Sequence, residues 1–234
     1  MLLLGHRGTP LTHTENTLPG FQAALEAGLG GVELDVQPTR DGRFVVMHDA
    51  HLPDGRLIQA LTQQEIQRES PEVPTLEAVL EWLTPRLEVT VNVELKNDHG
   101  ANDGRERRLV EVLNRFPVRE RIVISCFHPL SLLRLRAADP SYRLGYLYAE
   151  GAGPALLHRI VPLMPLYSLN PHHSLVSYDM VRRAHARGLK VMPWTVNDPQ
   201  VASRLARWGV DGLIGDRPEV LLEAARAAKT GVDV

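Results

Sequence analysis

Residues 31–49 read GVELDVQPTRDGRFVVMHD. The stretch opens in alternation: Val32, Leu34 and Val36 are apolar, and Glu33 and Asp35 fall between them. A period of two belongs to a β-strand, whose successive side chains point to opposite faces. One face therefore carries three apolar side chains and the other two carboxylates. After a turn marked by Asp41-Gly42, a pair that favours hairpins, the apolar run Phe44–Met47 leads to His48. Strand two thus runs outward, turns, and returns with His48 near the acids.

Working outward, strand-like and helix-like segments alternate along the whole chain. The predicted strands are Leu2–His6, Val32–Gln37, Thr90–Leu95, Ile122–Ser125, Arg143–Tyr148, Leu166–Asn170, Lys190–Val196 and Gly212–Gly215. The predicted helices are Leu18–Ala27, Thr75–Leu83, Arg105–Phe116, Pro129–Ala138, Pro154–Ile160, Tyr178–Arg187, Pro199–Trp208 and Pro218–Ala228. Several open with proline near the first turn, where its missing N–H costs nothing. Gly28, Gly188 and Gly209 close others. Eight β-then-α units in 234 residues predict an α/β fold, a (β/α)8 TIM barrel with a β-hairpin and short insertion after strand two. A doubly wound sheet is the alternative. No linker or repeat divides residues 1–234, which read as one domain with the insertion at about 50–73.

Composition narrows the classes of function. The 26 Lys and Arg against 28 Asp and Glu give a net charge of −2, so no basic surface for nucleic acid is implied. A hydrophobic share of 44% suffices for a core. The single Cys126 rules out an intrachain disulfide, favours a reducing compartment and, set within RIVISCF, reads as a buried structural thiol. MLLLGHRG has no basic leader region, and no run approaches the ~20 apolar residues of a membrane helix. The expectation is a cytoplasmic protein with no integral membrane segment and a small-molecule partner; oligomeric state is not legible.

In a (β/α)8 barrel the active site lies at the C-terminal ends of the strands. Strand one ends in His6-Arg7. Strand three, VTVNVELK, puts Asn92, Glu94 and Lys96 on the face opposite Val91, Val93 and Leu95. Glu33, Asp35 and Glu94 would repel one another unless a cation sat among them. An all-oxygen triad suits a hard divalent ion, Mg²⁺ or Ca²⁺, with Mn²⁺ also admitted, better than zinc. Ten histidines raise the prospect of a zinc barrel, yet none are spaced as ligand pairs on one predicted strand or helix. Internal salt bridges to Arg7 or Lys96 are the structural alternative to a metal. His6 and His48 become candidates for general acid and base, and Arg7 and Lys96 for contacts to phosphate oxygens. Together these residues describe a site for phosphoryl chemistry.

Ser125, Phe127-His128, Asn170, His172, Trp194, Asn197 and Asp216 also fall at the expected mouth, with Trp194 a wall for a carbon skeleton or a rim residue. His13, His51, His173 and His185 read as loop or surface residues.

The ordered motifs GHRG, ENTLPGF, GVELDVQPTRDG, VVMHD, VELK, VMPWTVND and GVDGLIGDRP, from residue 5 to about 218, resemble the bacterial glycerophosphodiester phosphodiesterase family. The resemblance implies a TIM-barrel enzyme that hydrolyses glycerophosphodiesters to sn-glycerol 3-phosphate and an alcohol with the help of one divalent cation. It implies catalytic histidines at His6 and His48 and metal carboxylates at Glu33, Asp35 and Glu94. Phosphate contacts fall on Arg7 and Lys96, a substrate wall on Trp194, and a supporting role on Asn16. Two places differ from the family pattern: HDAHLPDGRL lacks the Arg-Thr-Thr stretch often found after HD, and Gly215-Asp216 replaces the usual Thr-Asp. Both bear on the alcohol side, as does the short insertion, which implies an open and tolerant site. Rival readings are a phospholipase C/D-type enzyme releasing a cyclic phosphate and a non-catalytic phosphate-ester-binding barrel.

Overall fold

A computed structural model describes residues 1–97, 99–151 and 164–230. The chain begins with β1 (Leu2–His6), α1 (Leu18–Glu26) and β2 (Gly31–Pro38), followed by β3 (Phe44–Val46), which pairs antiparallel with β2. Next come α2 (Gln63–Glu69), α3 (Leu76–Leu83), β4 (Thr90–Leu95), α4 (Arg105–Leu113), β5 (Ile122–Cys126), α5 (Pro129–Ala138) and β6 (Arg143–Tyr148). The last elements are β7 (Ser168–Pro171), α6 (Tyr178–His185), β8 (Lys190–Val191), α7 (Pro199–Arg207), β9 (Gly212–Gly215) and α8 (Pro218–Thr230). The helix expected at Pro154–Ile160 lies outside the described residues.

Every strand pair along the path β8-β7-β6-β5-β4-β2-β1-β9 is parallel. The two ends of that path meet. Asp211 N–H donates to Val191 O at 2.9 Å, Ile214 N–H to Pro193 O at 3.0 Å and Val196 N–H to Ile214 O at 2.9 Å. The sheet is thus a nearly closed eight-stranded barrel of the TIM type, as the alternation predicts, and the doubly wound alternative falls. Regular strand geometry in β8 stops at Val191 rather than Val196; Pro193, which lacks an N–H, interrupts the ladder.

The alternation in the quoted stretch now has its two destinations. Val32, Leu34 and Val36 join the main core between strands and helices, with Phe21, Leu80, Val93 and Ile124. Each such side chain, fully buried, contributes about 1.5–3 kcal/mol. Inside the barrel a smaller cluster of Leu4, Met192 and Ile214 supports Trp194. Above it lies a buried polar layer in which Asn92 Nδ2 donates to Ser125 Oγ at 2.8 Å and Ser168 Oγ to Asn170 Oδ1 at 2.7 Å. Ser125 and Asn170, expected at the mouth, are therefore fully buried.

Helix starts follow from local chemistry. Thr75 Oγ1 accepts from Ala78 N–H at 3.1 Å to cap α3, Asp198 accepts from Val201 N–H at 2.8 Å to cap α7, and prolines open α5, α7 and α8. The insertion after β3 builds its own small core from Val45, Leu52, Ile58 and Ile66. Gly8 has φ +91°, and a Cβ there would stand 2.7 Å from the Gly20 backbone. Only glycine lets the loop after β1 pack this closely on α1. No helix among the described residues is long and apolar enough to cross a membrane.

Candidate active site

Along β2 and at the C-terminal end of β4, ligand oxygens of Glu33, Asp35 and Glu94 all lie within 4.8 Å of one another, and all three residues are buried. The parallel register sets Asp35 beside Glu94 and Glu33 beside Asn92, so the acids meet because their strands are neighbours. Lys96, two residues beyond Glu94, turns its Nζ between two of them, 2.8 Å from Asp35 Oδ1 and 2.5 Å from Glu94 Oε1. Arg7 adds its Nε at 3.3 Å from Asp35 Oδ2 and its backbone N–H to Glu33 Oε2 at 3.1 Å. Asn16 clamps Asp35 from both sides: Nδ2 donates to Oδ2 at 2.9 Å, and the Asp35 N–H donates to Asn16 Oδ1 at 3.2 Å. The internal ion pairs weighed against a metal are thus present, yet they leave one carboxylate in excess over Lys96 and Arg7.

Both Arg7 and Asn16 sit in the left-handed region, at φ 53° and 58°. Asparagine tolerates that region and arginine does so at a cost. The Asn16 N–H bond to Arg7 O, 2.9 Å long, ties the two together. The Arg7 head is shared outward, with NH1 contacting both carboxylate oxygens of Glu15 at 3.1–3.2 Å.

Two histidines face the acids. His6 Nδ1 lies 2.7 Å from Asp216 Oδ1 and its Nε2 4.0 Å from Glu33 Oε2. His48 returns on the hairpin as its sequence position predicts. Met47 N–H donates to Asp35 O at 3.0 Å, Gln37 Nε2 donates to His48 O at 2.8 Å, and His48 Nδ1 lies 2.8 Å from Asp49 Oδ1. His6, Arg7, Glu33, His48, Glu94 and Lys96 line one side of a cavity of about 90 Å³, and Phe127, Leu147, Trp194 and Ile214 line the other. Trp194 is held by its Nε1–H to Asn170 O at 2.8 Å and by an edge contact with Phe127, centroids 5.4 Å apart.

Residues 6–220, nearly all of the chain, match the model of the glycerophosphoryl diester phosphodiesterase family. The chain belongs to this family. It is 31% identical to the glycerophosphodiester phosphodiesterase of Caldanaerobacter subterraneus subsp. tengcongensis, over 96% of this chain and 98% of that one. The glycerophosphodiester phosphodiesterase of Thermotoga maritima has a similar structure, with a TM-score of 0.77, 29% identity and coverage of 97% and 98%. So does an Oleispira antarctica phosphodiesterase solved with the product sn-glycerol-3-phosphate, with a TM-score of 0.81, 27% identity and 97% of each chain covered. The chain is accordingly an enzyme, a phosphodiesterase of this family.

The electrostatics of this phosphodiesterase divide its acids. Burial, then the neighbouring Asp35 and Glu94 carboxylates, push Glu33 well above the usual carboxylate range. Burial also pushes on Asp35, but Lys96 and Arg7 outweigh it and hold Asp35 low. Burial would lower Lys96, and Glu94 and Asp35 reverse this and raise it. Three converging carboxylates with no sulfur among them form a donor set for a hard cation. An acid disfavoured as an anion by its neighbours is one that such a cation would relieve. The residues therefore fit one divalent ion.

All seven chemistry-bearing residues read from the sequence, with Asn16 and Trp194, come together at this mouth. Asp216 and Asn197, behind His6, and Phe127 and Leu147, on the cavity wall, join them without having been assigned a role. The first three lie at strand ends that the alternation already marked, whereas Leu147 carries no signal beyond its apolar strand. His172 packs on the far edge of Trp194, centroids 5.5 Å apart. His185 lies away from the site, paired with Asp211 at 2.7 Å.

Proposed function

We propose that the chain hydrolyses glycerophosphodiesters to sn-glycerol 3-phosphate and an alcohol, with one divalent cation held by Glu33, Asp35 and Glu94. The observation that carries this reading is the meeting of three buried carboxylates within 4.8 Å of one another, two of which, Glu33 and Glu94, line a cavity that His6 and His48 also line. Mg²⁺ and Ca²⁺ suit the oxygen donors, with Mn²⁺ a third candidate. Bound there, the cation would neutralise phosphodiester charge and favour the charge that develops in the transition state.

The chain's own residues do the rest. Arg7 and Lys96 offer fixed positive charge to non-bridging oxygens, and Arg7 exchanges part of its hold on Glu15 for that contact. His6 and His48 each spend Nδ1 on an aspartate, which leaves Nε2 of each ring for proton transfer. One removes a proton from the attacking oxygen and the other returns one to the leaving alkoxide. Trp194, with Phe127 beside it, packs against the carbon skeleton, and Asn16 keeps Asp35 oriented.

Chelation followed by readdition of Mg²⁺, Ca²⁺, Mn²⁺ or Zn²⁺ tests this, with release of sn-glycerol 3-phosphate from glycerophosphocholine as the readout. Turnover is expected to vanish on chelation and to return with a hard cation. Undiminished turnover in the chelated protein would sink the metal assignment.

A further inference from the structure

Two polar side chains that do not line the cavity stand in series behind His6 at the barrel seam, Asp216 against the ring and Asn197 against Asp216. Asp216 follows β9 directly and meets His6 Nδ1 through Oδ1 at 2.7 Å, across 210 residues of sequence. Asn197, in the loop after β8, holds Asp216 twice. The Asp216 backbone N–H donates to Asn197 Oδ1 at 2.8 Å, and Asn197 Nδ2 donates to Asp216 Oδ2 at 2.5 Å. A backbone N–H can only donate, so it fixes the Asn197 oxygen toward itself and turns the amide NH₂ onto the carboxylate. One seam bond, Val196 N–H to Ile214 O at 2.9 Å, keeps the two loops in register.

The consequence falls on the histidine ring. Burial disfavours the Asp216 anion, but hydrogen bonds from His6 and Asn197 outweigh it and hold the group below the usual range. An ionised carboxylate only accepts, so a neutral ring bonded to it carries its hydrogen on Nδ1 and its lone pair on Nε2. Nε2 is the atom turned to Glu33 and the cavity.

We propose that Asn197 and Asp216 are positioning residues for His6. Asn197 decides which way Asp216 presents its acceptor, and Asp216 holds the hydrogen on Nδ1, so that Nε2 exchanges the proton with the reacting oxygen. This rests on the reading of His6 as an acid–base group given above.

The test uses Asp216→Asn with and without Asn197→Asp, measuring kcat and KM for glycerophosphocholine with the cation that best supports the native enzyme. In Asp216→Asn the Asn197 NH₂ still demands an acceptor. The new amide therefore turns its oxygen to Asn197 and its NH₂ to His6, which drives the ring hydrogen to Nε2. The expected result is a fall in kcat of about 10²–10⁴ with KM little changed, the size of an acid–base group held in the wrong tautomer. In the double variant, the carboxylate introduced at position 197 accepts both the backbone N–H and the new amide NH₂, and the amide oxygen returns to His6. Recovery of at least about tenfold in kcat over the single variant is expected, and a merely structural role for the pair would not produce it. Thermal melts establish that each variant is folded.

An Asp216→Asn enzyme within about threefold of native kcat overturns the proposal, as does a double variant no faster than the single one. His6→Ala separates the two layers. Near-native turnover there removes His6 from the chemistry and the proposal with it, whereas a slow His6→Ala beside a native-like Asp216→Asn overturns the positioning role alone.

Discussion

The ammonium of Lys96 stands 2.8 Å from Oδ1 of Asp35, with both residues buried. Lys96 also reaches Glu94, so it occupies part of the charge-balancing role that a divalent ion would share. Lys96→Met should destabilise the chelated protein by about 3–5 kcal/mol, the usual cost of breaking a buried pair from one side. Added Mg²⁺ or Ca²⁺ should narrow that gap. Urea unfolding with chelator and with cation measures both, and an equal gap under the two conditions would show that ion and ammonium do not share the acids' charge.

Glu33 should behave in the opposite way. Burial, Asp35 and Glu94 raise its pKa, so the native state binds its proton more tightly than the unfolded chain does. Stability from this group is full below the ordinary carboxylate pKa of about 4 and is lost as pH rises through the raised native value. Glu33→Gln removes that loss. The chelated variant should be as stable as the native protein or more so, with the advantage growing as pH rises from about 4, while turnover falls by at least about 10². Unfolding free energies across pH, with kcat alongside, decide it; a variant that is less stable at neutral pH would contradict the reading.

Arg7 holds a left-handed φ of 53° that arginine ordinarily avoids. Arg7→Ala and Arg7→Gly both remove the guanidinium, and each should raise KM by about 10–100-fold, the range of a charge-assisted hydrogen bond. Glycine there should be at least as stable as alanine, by up to about 1 kcal/mol. Parallel kinetics and melts test this, and a clearly more stable Arg7→Ala would argue that the strain is absent.

At the other end of the barrel, Asp211 latches the β8–β9 seam. It accepts from Val191 N–H at 2.9 Å, from Lys190 Nζ at 2.9 Å and bonds His185 Nε2 at 2.7 Å. Burial opposes its charge, but the bonds from Lys190, Val191 and His185 outweigh it and hold its pKa low. Its contribution is therefore present above the unfolded pKa of about 4 and lost as pH falls through the lower native value. Asp211→Asn should cost about 1–2 kcal/mol at pH 7, discounted for the exposed partners, and the difference from the native protein should shrink under acid. Urea midpoints at neutral and acidic pH provide the check, and a cost that persists unchanged in acid would assign it to packing instead.

The local pattern reveals much of this molecule. Alternation in GVELDVQP separates core side chains from carboxylates because a strand's period is two, and Asp41-Gly42 announces the return of His48 because few pairs accept that turn. The regular series of strands and helices is enough to expect a barrel, and hence a site at the strand ends. Local pattern cannot reveal contacts made by closing the barrel. Asp216 and His6 are 210 residues apart, and only the meeting of β9 with β1 and β8 brings Asp216 to that ring and Asn197 to Asp216. Ser125 and Asn170 read as rim residues, yet they lie in the buried layer, because depth in a barrel depends on strand tilt and stagger rather than on position in a segment. The amino-acid sequence determined which side chains share a strand face, since that is set by bond geometry one residue at a time. The tertiary structure alone decided which of those faces meet and which cation sits against which acid, since such contacts depend on register between strands far apart in the chain.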